Sequence, residues 1–522
     1  MQKRPTLSWS VLSAELRRRE VYPVIVAYAV VGWILLQIGE VTFGPLGLPG
    51  WVMTTLIVVV IAGFPVALAL AWRYDITPQG IRRDQPLAIA AGDVRPSIAV
   101  LPFMDMSPNQ DQAYFCEGIA EEILNALTKI RELKVVARSS SFQFQSQAGD
   151  VRDIGRELGA RAILEGSVRK SGNTLRVTAQ LLKVSDGYHL WSKTFDDDLE
   201  DVFAIQDDIA SSIAESLLET IKPDEQASIR TTSSANVNAY DFYLRGRQYF
   251  KRFRKMDIEH ARHLFWQAIE LDRNFALAWA GYADCHSTLL MYADPQPSYA
   301  EQANQASKRA LQLQPDLAEA HVSRGLACLV SREFDSAEAE FVRALELNPS
   351  LYDAYYFYGR TRFHQGDMEM AADLFKKAAE ADPADYQARL LRIQILRGKG
   401  QTEMAEAEAA EALAVVEKHL EWTPDDARAF HLGAGSLIIL GQLDRAKRWM
   451  RRALALDPDD PIALYNVACN FATINEVEES LDYLEKAIDK GIVSTDWMNN
   501  DEDLINLRTS PRFKELLQRL DR

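Results

Sequence analysis

The sequence predicts a multi-domain chain: a transmembrane helical hairpin, a small α/β domain with a mixed sheet, and then an all-α solenoid of repeats. Three observations predict it. Two uncharged apolar runs stand near the N-terminus, strand-like and helix-like patterns interleave over 96–222, and a set of small and aromatic residues recurs every 34 residues further on. A chain of 522 residues exceeds one ordinary core, which agrees with several folded parts.

The apolar runs are "VYPVIVAYAVVGWILLQIG" (21–39) and "WVMTTLIVVVIAGFPVALALAW" (51–72). Each comes close to the roughly 20 residues that a helix needs to cross a bilayer. The Gly/Pro-rich "EVTFGPLGLPG" between them reads as a tight loop, and a second run so close behind the first argues against a cleaved signal peptide. Trp33, Trp51 and Trp72 fall near the span ends, Pro23 opens the first helix and Pro65 kinks the second. Lys3, Arg4, Arg17, Arg18 and Arg19 precede the first run, and Arg73, Arg82 and Arg83 follow the second. The loop holds Glu40 and no basic residue, so charge bias places both ends in the cytoplasm of a bacterial-type inner membrane. This divides the chain into an N-terminal segment 1–20, a hairpin 21–72, a linker 73–95, an α/β domain 96–222, a solenoid 236–491 and a capping segment 492–522.

The chain carries a net charge of −16, and the acidic excess lies beyond residue 95, since residues 1–95 are slightly basic. An acidic body argues against nucleic-acid binding, which needs phosphate neutralisation. Cys116, Cys285, Cys328 and Cys469 are isolated, with no CxxC, and suit a reducing compartment.

In the α/β domain, "PSIAVLPF" reads as a buried strand and "EGIAEEILNALTKI" as a helix with Ile119, Ile123, Leu127 and Ile130 on one face. "LKVVARSS" reads as a second strand. In "GDVRDIGRELGA", Asp150 is the N-cap, Val151, Ile154 and Leu158 form the apolar face, and Gly159 is the stop. "RAILEGSVRK", "TLRVTAQLLKV" and "HLWSKTF" form a meander; Leu175, Val177, Ala179 and Leu181 alternate as a half-buried strand requires. A last helix carries Val202, Ile205, Ile209, Ile213, Leu217 and Ile221 on one stripe.

These motifs, together with "YFCEGIAEEILNAL", "VVARSSSF" and "GYHLWSKTFDDDLEDVFAIQDDIA", resemble the TolB-like amino-terminal domain, also called FlgO-type, over about 96–220. The family joins this domain to membrane helices and repeats, to winged-helix regulators or to nucleotide cyclase domains. The resemblance therefore implies a signalling or assembly accessory and no named reaction. The acidic run Asp196, Asp197, Asp198, Glu200 and Asp201 reads as charge at the first turn of the last helix, with a cation site as the alternative. "SSSFQFQSQ" (139–147) reads as a solvated connection, with a binding loop as the alternative.

Ala318, Gly325, Ala337, Phe341, Ala344 and Pro349 find counterparts at Tyr352, Gly359, Ala371, Phe375, Ala378 and Pro383, each 34 residues on. That is the period of a helix–turn–helix repeat. Small residues allow two helices to approach, phenylalanine fills the space beside them, and proline breaks the chain before the next unit. The pattern resembles the tetratricopeptide repeat, in about seven copies from 236 to 491. In that family the first helix of each pair lines a concave wall. Carried over, this implies protein-binding residues Tyr243, Arg247 and Phe250 in the first repeat and Tyr356, Arg360 and Phe363 in the fourth. Aromatic rings with arginine suit an extended peptide; the competing reading packs them on one another inside the stack. The Lys/Asn carboxylate clamp of chaperone-binding relatives is absent, with Tyr243, Arg247 and Gly281 at its positions.

No Walker-A, HExxH or GxSxG pattern occurs. His260 and His263 lie one turn apart without a third ligand at metal spacing and read as a helix surface. The expectation is a non-enzymatic, membrane-anchored scaffold with no cofactor and no metal. Its partners would be a protein or peptide and the lipid bilayer. A regulatory component associated with a nucleotide cyclase or a transcriptional regulator is the second reading, and an enzyme with its site in the α/β domain the third.

Overall fold

The computed structural model describes residues 33, 35–42, 49–77, 80–83, 95–130, 132–144, 150–172, 174–218, 236–292, 296–491 and 495–520. Two compact units are present, Met1–Asp93 and Val94–Arg522.

The first unit corrects the transmembrane expectation. Among the described residues, no helix is long and apolar enough to cross a membrane. Most of the first run, 21–32 and 34, lies outside the described residues. The second run forms the helix Gly50–Arg73, followed by a hairpin of β1 (Tyr74–Thr77) and β2 (Gly80–Arg83). Pro65 lies inside that helix, which continues to Arg73. The two-span inner-membrane placement and the bilayer as a partner are therefore unsupported by the described helices.

The second unit begins with a mixed sheet of β3 (Ser97–Val100), β4 (Met104–Asp105), β5 (Lys134–Val135), β6 (Ala162–Ser171), β7 (Thr174–Lys183) and β8 (His189–Asp198). Their order is β5-β3-β6-β7-β8, with β4 also paired to β6. β3 runs parallel to β5 and β6, whereas β6, β7 and β8 form an antiparallel meander. Leu175, Val177, Ala179 and Leu181 are buried on one face of β7, under the helices Ala113–Thr128 and Val202–Leu217. On the other face, Ala99 and Ile163 meet Ile154 of the short helix Val151–Glu157. Asp150 caps that helix by accepting the Arg152 N–H at 2.9 Å, and Gly159 ends it at φ +63°. The stretch 134–142 supplies only a two-residue strand before turning into the helix Arg138–Phe142.

Among the described residues, seven antiparallel helix pairs follow, from Val237–Phe250 with Lys255–Leu271 to Pro461–Thr473 with Val477–Asp489. Their close approach depends on glycine. A Cβ on Gly325 would stand 2.6 Å from the Phe341 ring, and one on Gly359 would stand 2.7 Å from Phe375. The turns between paired helices use left-handed backbone: Gly366, Gly400 and Gly441 have φ of +80°, +70° and +73°, and Arg332 and Asn475 occupy the same region at +63° and +62°. After the last pair, Phe513 and Leu516 of Pro511–Leu520 pack with Leu481 and Leu484. The helix Thr495–Asn500 reaches back to the fourth pair, where Asn500 Nδ2 donates to the carbonyls of Phe363 and His364 at 3.3 Å each.

The sheet and the first helix pair share one core. Tyr240 of the first solenoid helix meets Phe203 edge-on at 4.9 Å, and its hydroxyl accepts from Gln206 Nε2 at 3.0 Å.

Candidate functional site

The two predicted trios have different fates. In the first, Tyr243 is buried against Phe275, with ring centroids 5.0 Å apart, and against Phe265 at 5.8 Å. Arg247 donates to the Tyr243 hydroxyl at 3.0 Å and to Glu121 Oε1 at 2.5 Å. Glu121, 8% exposed on the helix Ala113–Thr128, also meets Arg138 and Lys251, both at 3.0 Å. Burial alone would raise this carboxyl, but Arg138, Arg247 and Lys251 together hold it well below its ordinary value. The neighbouring Glu122 is pushed up to about 7 by burial and by Glu121. Phe250, half-buried, meets Phe253 edge-on at 6.4 Å. Tyr243 and Arg247 thus join the sheet region to the solenoid.

The second trio borders a cavity of about 320 Å³ on the inner side of the solenoid. Tyr356 and Arg360 line it, with Tyr292, Arg428, His431 and Trp497. Phe363 is buried behind them, 4.3 Å from the Trp497 ring. Arg360, 7% exposed, donates from Nη1 to the Tyr292 hydroxyl and, at 3.4 Å, to the Tyr356 hydroxyl. Its guanidinium lies 4.6 Å from the Trp497 ring centre. Arg428 stacks on Phe253 at 3.9 Å and donates from Nη2 to the side-chain oxygen of Gln387. Burial, with Arg428 beside it, lowers His431 to about 3, so its ring is neutral near pH 7. Asp501, 1% exposed, is raised to about 7 by burial and then by Asp503; it accepts from the Tyr465 hydroxyl at 2.7 Å and from Gln394.

The sequence reading found Tyr356 and Arg360 but missed Arg428, His431, Tyr292 and Trp497. One signal was available for His431. Ala354, Ala388, Ala429 and Ala463 head equivalent helices, and the residues two further on, Tyr356, Leu390, His431 and Tyr465, all line the cavity. Trp497 carries no such signal, because the segment that supplies it does not follow the period.

The remaining candidates fall elsewhere. Asp196 to Asp198 close β8, with Asp196 paired to Arg176 across the strands, and a turn of 3-10 helix, Leu199–Asp201, intervenes before the last helix. Ser139, read as part of a solvated connection, donates to Asp382 of the solenoid, and Phe144 is buried; 145–147 lie outside the described residues. His260 and His263 are exposed, and among the described residues no three His, Cys, Asp or Glu side chains are arranged to hold a metal.

Comparison with known proteins follows the same lines. Residues 324–386 and 427–460 match models of the tetratricopeptide repeat, so the class defined by fold and sequence together is a protein with C-terminal tetratricopeptide repeats. A relative from Rhizobium meliloti (strain 1021), named "Putative adenylate cyclase 3", is 34% identical over 263 residues, which is 50% of this chain and 44% of the relative. The match thus spans less than half the relative's length. Among solved structures, YrrB, described as a TPR protein with an unusual peptide-binding site, is 22% identical with a TM-score of 0.25, covering 38% of this chain and 95% of its own. PilW, a type IV pilus biogenesis factor, is 21% identical with a TM-score of 0.32, covering 43% and 95% respectively.

Proposed function

We propose that the chain is an adaptor that grips a partner polypeptide on the inner side of its repeat solenoid. The reading takes 236–491 as the gripping module and 96–222 as a TolB-like α/β module docked against its first repeat. One observation carries it: the cavity presents aromatic rings and arginines, Tyr292, Tyr356, Arg360 and Arg428, from the helices Ala276–Tyr292, Tyr352–His364 and Ala427–Ile439. Those residue types dominate the energetic centres of protein interfaces, because large rings gain contact at little cost in side-chain freedom and the planar guanidinium both stacks and forms several hydrogen bonds. The proposal assigns no catalytic step. Of the six predicted contact residues it retains Tyr356 and Arg360 at the surface of contact, with Phe363 as their support. Tyr243 and Arg247 belong instead to the internal junction.

The test uses the full chain as bait, identification of a captured protein, and titration with that purified protein. Arg360→Glu or Tyr356→Ala is expected to weaken binding at least tenfold with the helical circular dichroism unchanged. Unchanged affinity in both variants would refute the cavity as the gripping surface.

A second reading, a regulatory component of a nucleotide-cyclase pathway, is favoured by the name of the Rhizobium relative. It predicts that the captured partner is a cyclase whose turnover changes on binding. A captured partner without cyclase activity would remove this reading and leave the first intact.

A further inference from the structure

We infer that Arg360, Arg428 and His431 form a binding site for a carboxylate on a ligand with an apolar body. The inference deepens the adaptor reading and rests on it only for the source of that carboxylate.

A guanidinium carries five N–H donors, and a neutral imidazole carries one donor and one acceptor. Nε of Arg360, and both Nε and Nη1 of Arg428, lack a hydrogen-bond partner although these atoms are shielded from solvent. His431 is 1% exposed, and neither of its ring nitrogens is bonded. Burying such groups unpaired is costly, and folded proteins retain few of them. Here three of these side chains, from the helices Tyr352–His364 and Ala427–Ile439, line one cavity.

Charge points the same way. Among the described residues, neither Arg360 nor Arg428 is within ion-pair distance of a carboxylate; the nearby acids are engaged elsewhere. Asp426 is held by His419 at 2.7 Å, Asp503 by Arg397, and Asp501 by Tyr465 and Gln394. Arg360 donates to the Tyr292 and Tyr356 hydroxyls, and these two tyrosines line the same cavity as Arg428. A carboxylate accepts charge-assisted hydrogen bonds from guanidinium N–H groups, which are roughly twice as strong as neutral ones. Asp501 and Asp503 also line the cavity, and carboxyl groups there disfavour the second charge of a phosphate dianion relative to a carboxylate. The volume, about 320 Å³, is at the lower end for small-ligand pockets, and Leu390, Ile393 and Trp497 supply apolar surface for a compact body. A chain end that presents its terminal carboxylate and a free aromatic acid offer the same chemistry.

The test titrates the full-length chain calorimetrically with N-acetylphenylalanine, its amide, phenyl phosphate, and a hexapeptide ending in phenylalanine with either a free or an amidated C-terminus. The acid is expected to bind at least tenfold tighter than the amide and to raise the melting temperature where the amide does not. Arg428→Gln and Arg360→Gln are each expected to erase that preference. Equal binding of acid and amide, no binding of either, or tighter binding of phenyl phosphate would overturn the inference. Binding of the free-acid hexapeptide supports a polypeptide source. Binding of the small acid alone upholds the carboxylate site while removing the adaptor reading from this cavity.

Discussion

Glu121→Gln is the most informative perturbation of the junction between sheet and solenoid. The substitution keeps the shape and removes one negative charge from the centre of Arg138, Arg247 and Lys251. Removing one member of a buried ion pair costs about 3–5 kcal/mol, because the remaining charge is left without compensation. The three cations keep 26%, 28% and 35% side-chain exposure, so water offsets part of that cost. The lower end, about 3 kcal/mol, or roughly a hundredfold in equilibrium, is the expected loss. Hydrogen exchange reads it directly: amides in Ala113–Thr128 and Val237–Phe250 should lose about a hundredfold in protection, while those of the sixth and seventh helix pairs keep theirs. The sign with pH follows from the depressed carboxyl. The folded protein holds the proton less tightly than the unfolded chain, whose value is near 4.5, so the contribution is complete above that pH and fades as pH falls through the folded value. Wild type and variant should therefore differ throughout pH 6–8 and converge in acid. Equal protection at pH 7 would refute the reasoning and reduce the cluster to a solvated set of surface pairs.

Two further predictions concern packing and burial. Gly359→Ala places a Cβ 2.7 Å from the Phe375 ring and should lower stability by about 1–3 kcal/mol, seen as a lower urea midpoint with an unchanged slope. Asp284 is raised to about 7 by burial and its Oδ1 lacks a partner, so the folded state takes up a proton more readily than the unfolded chain. Wild-type stability from this group falls as pH rises from about 4 through 7; Asp284→Asn should melt higher than wild type at pH 8 and show a flatter profile, and a lower melting temperature there would contradict the assignment.

The elements most legible in the sequence are those whose cause is local. Asp150 and Gly159 delimit a short helix because a carboxylate accepts from the first turn and glycine tolerates left-handed backbone. Gly325 with Phe341 and Gly359 with Phe375 are readable because period and volume complementarity recur together. Only part of the cavity lining, Tyr356 and Arg360, was readable for the same reason. Tyr356 and Arg360 share a repeat position with Tyr243 and Arg247, but residue type and offset are identical in the two trios, so nothing local says which faces a cavity and which faces Glu121. The apolar runs near the N-terminus show the opposite failure: hydropathy read as spanning length, whereas no described helix meets the requirement.

What the sequence by itself determined is the alternation of sheet and helix and the 34-residue pitch of the paired helices, since both follow from side-chain periodicity and from the backbone limits of glycine and proline. Only the tertiary structure decided that Glu121 occupies the first arginine and that Thr495–Asn500 folds back to place Trp497 over the second. The physical reason is range: pairing of charges and stacking of rings between residues more than a hundred positions apart depends on where the chain returns, and no periodic signal records that.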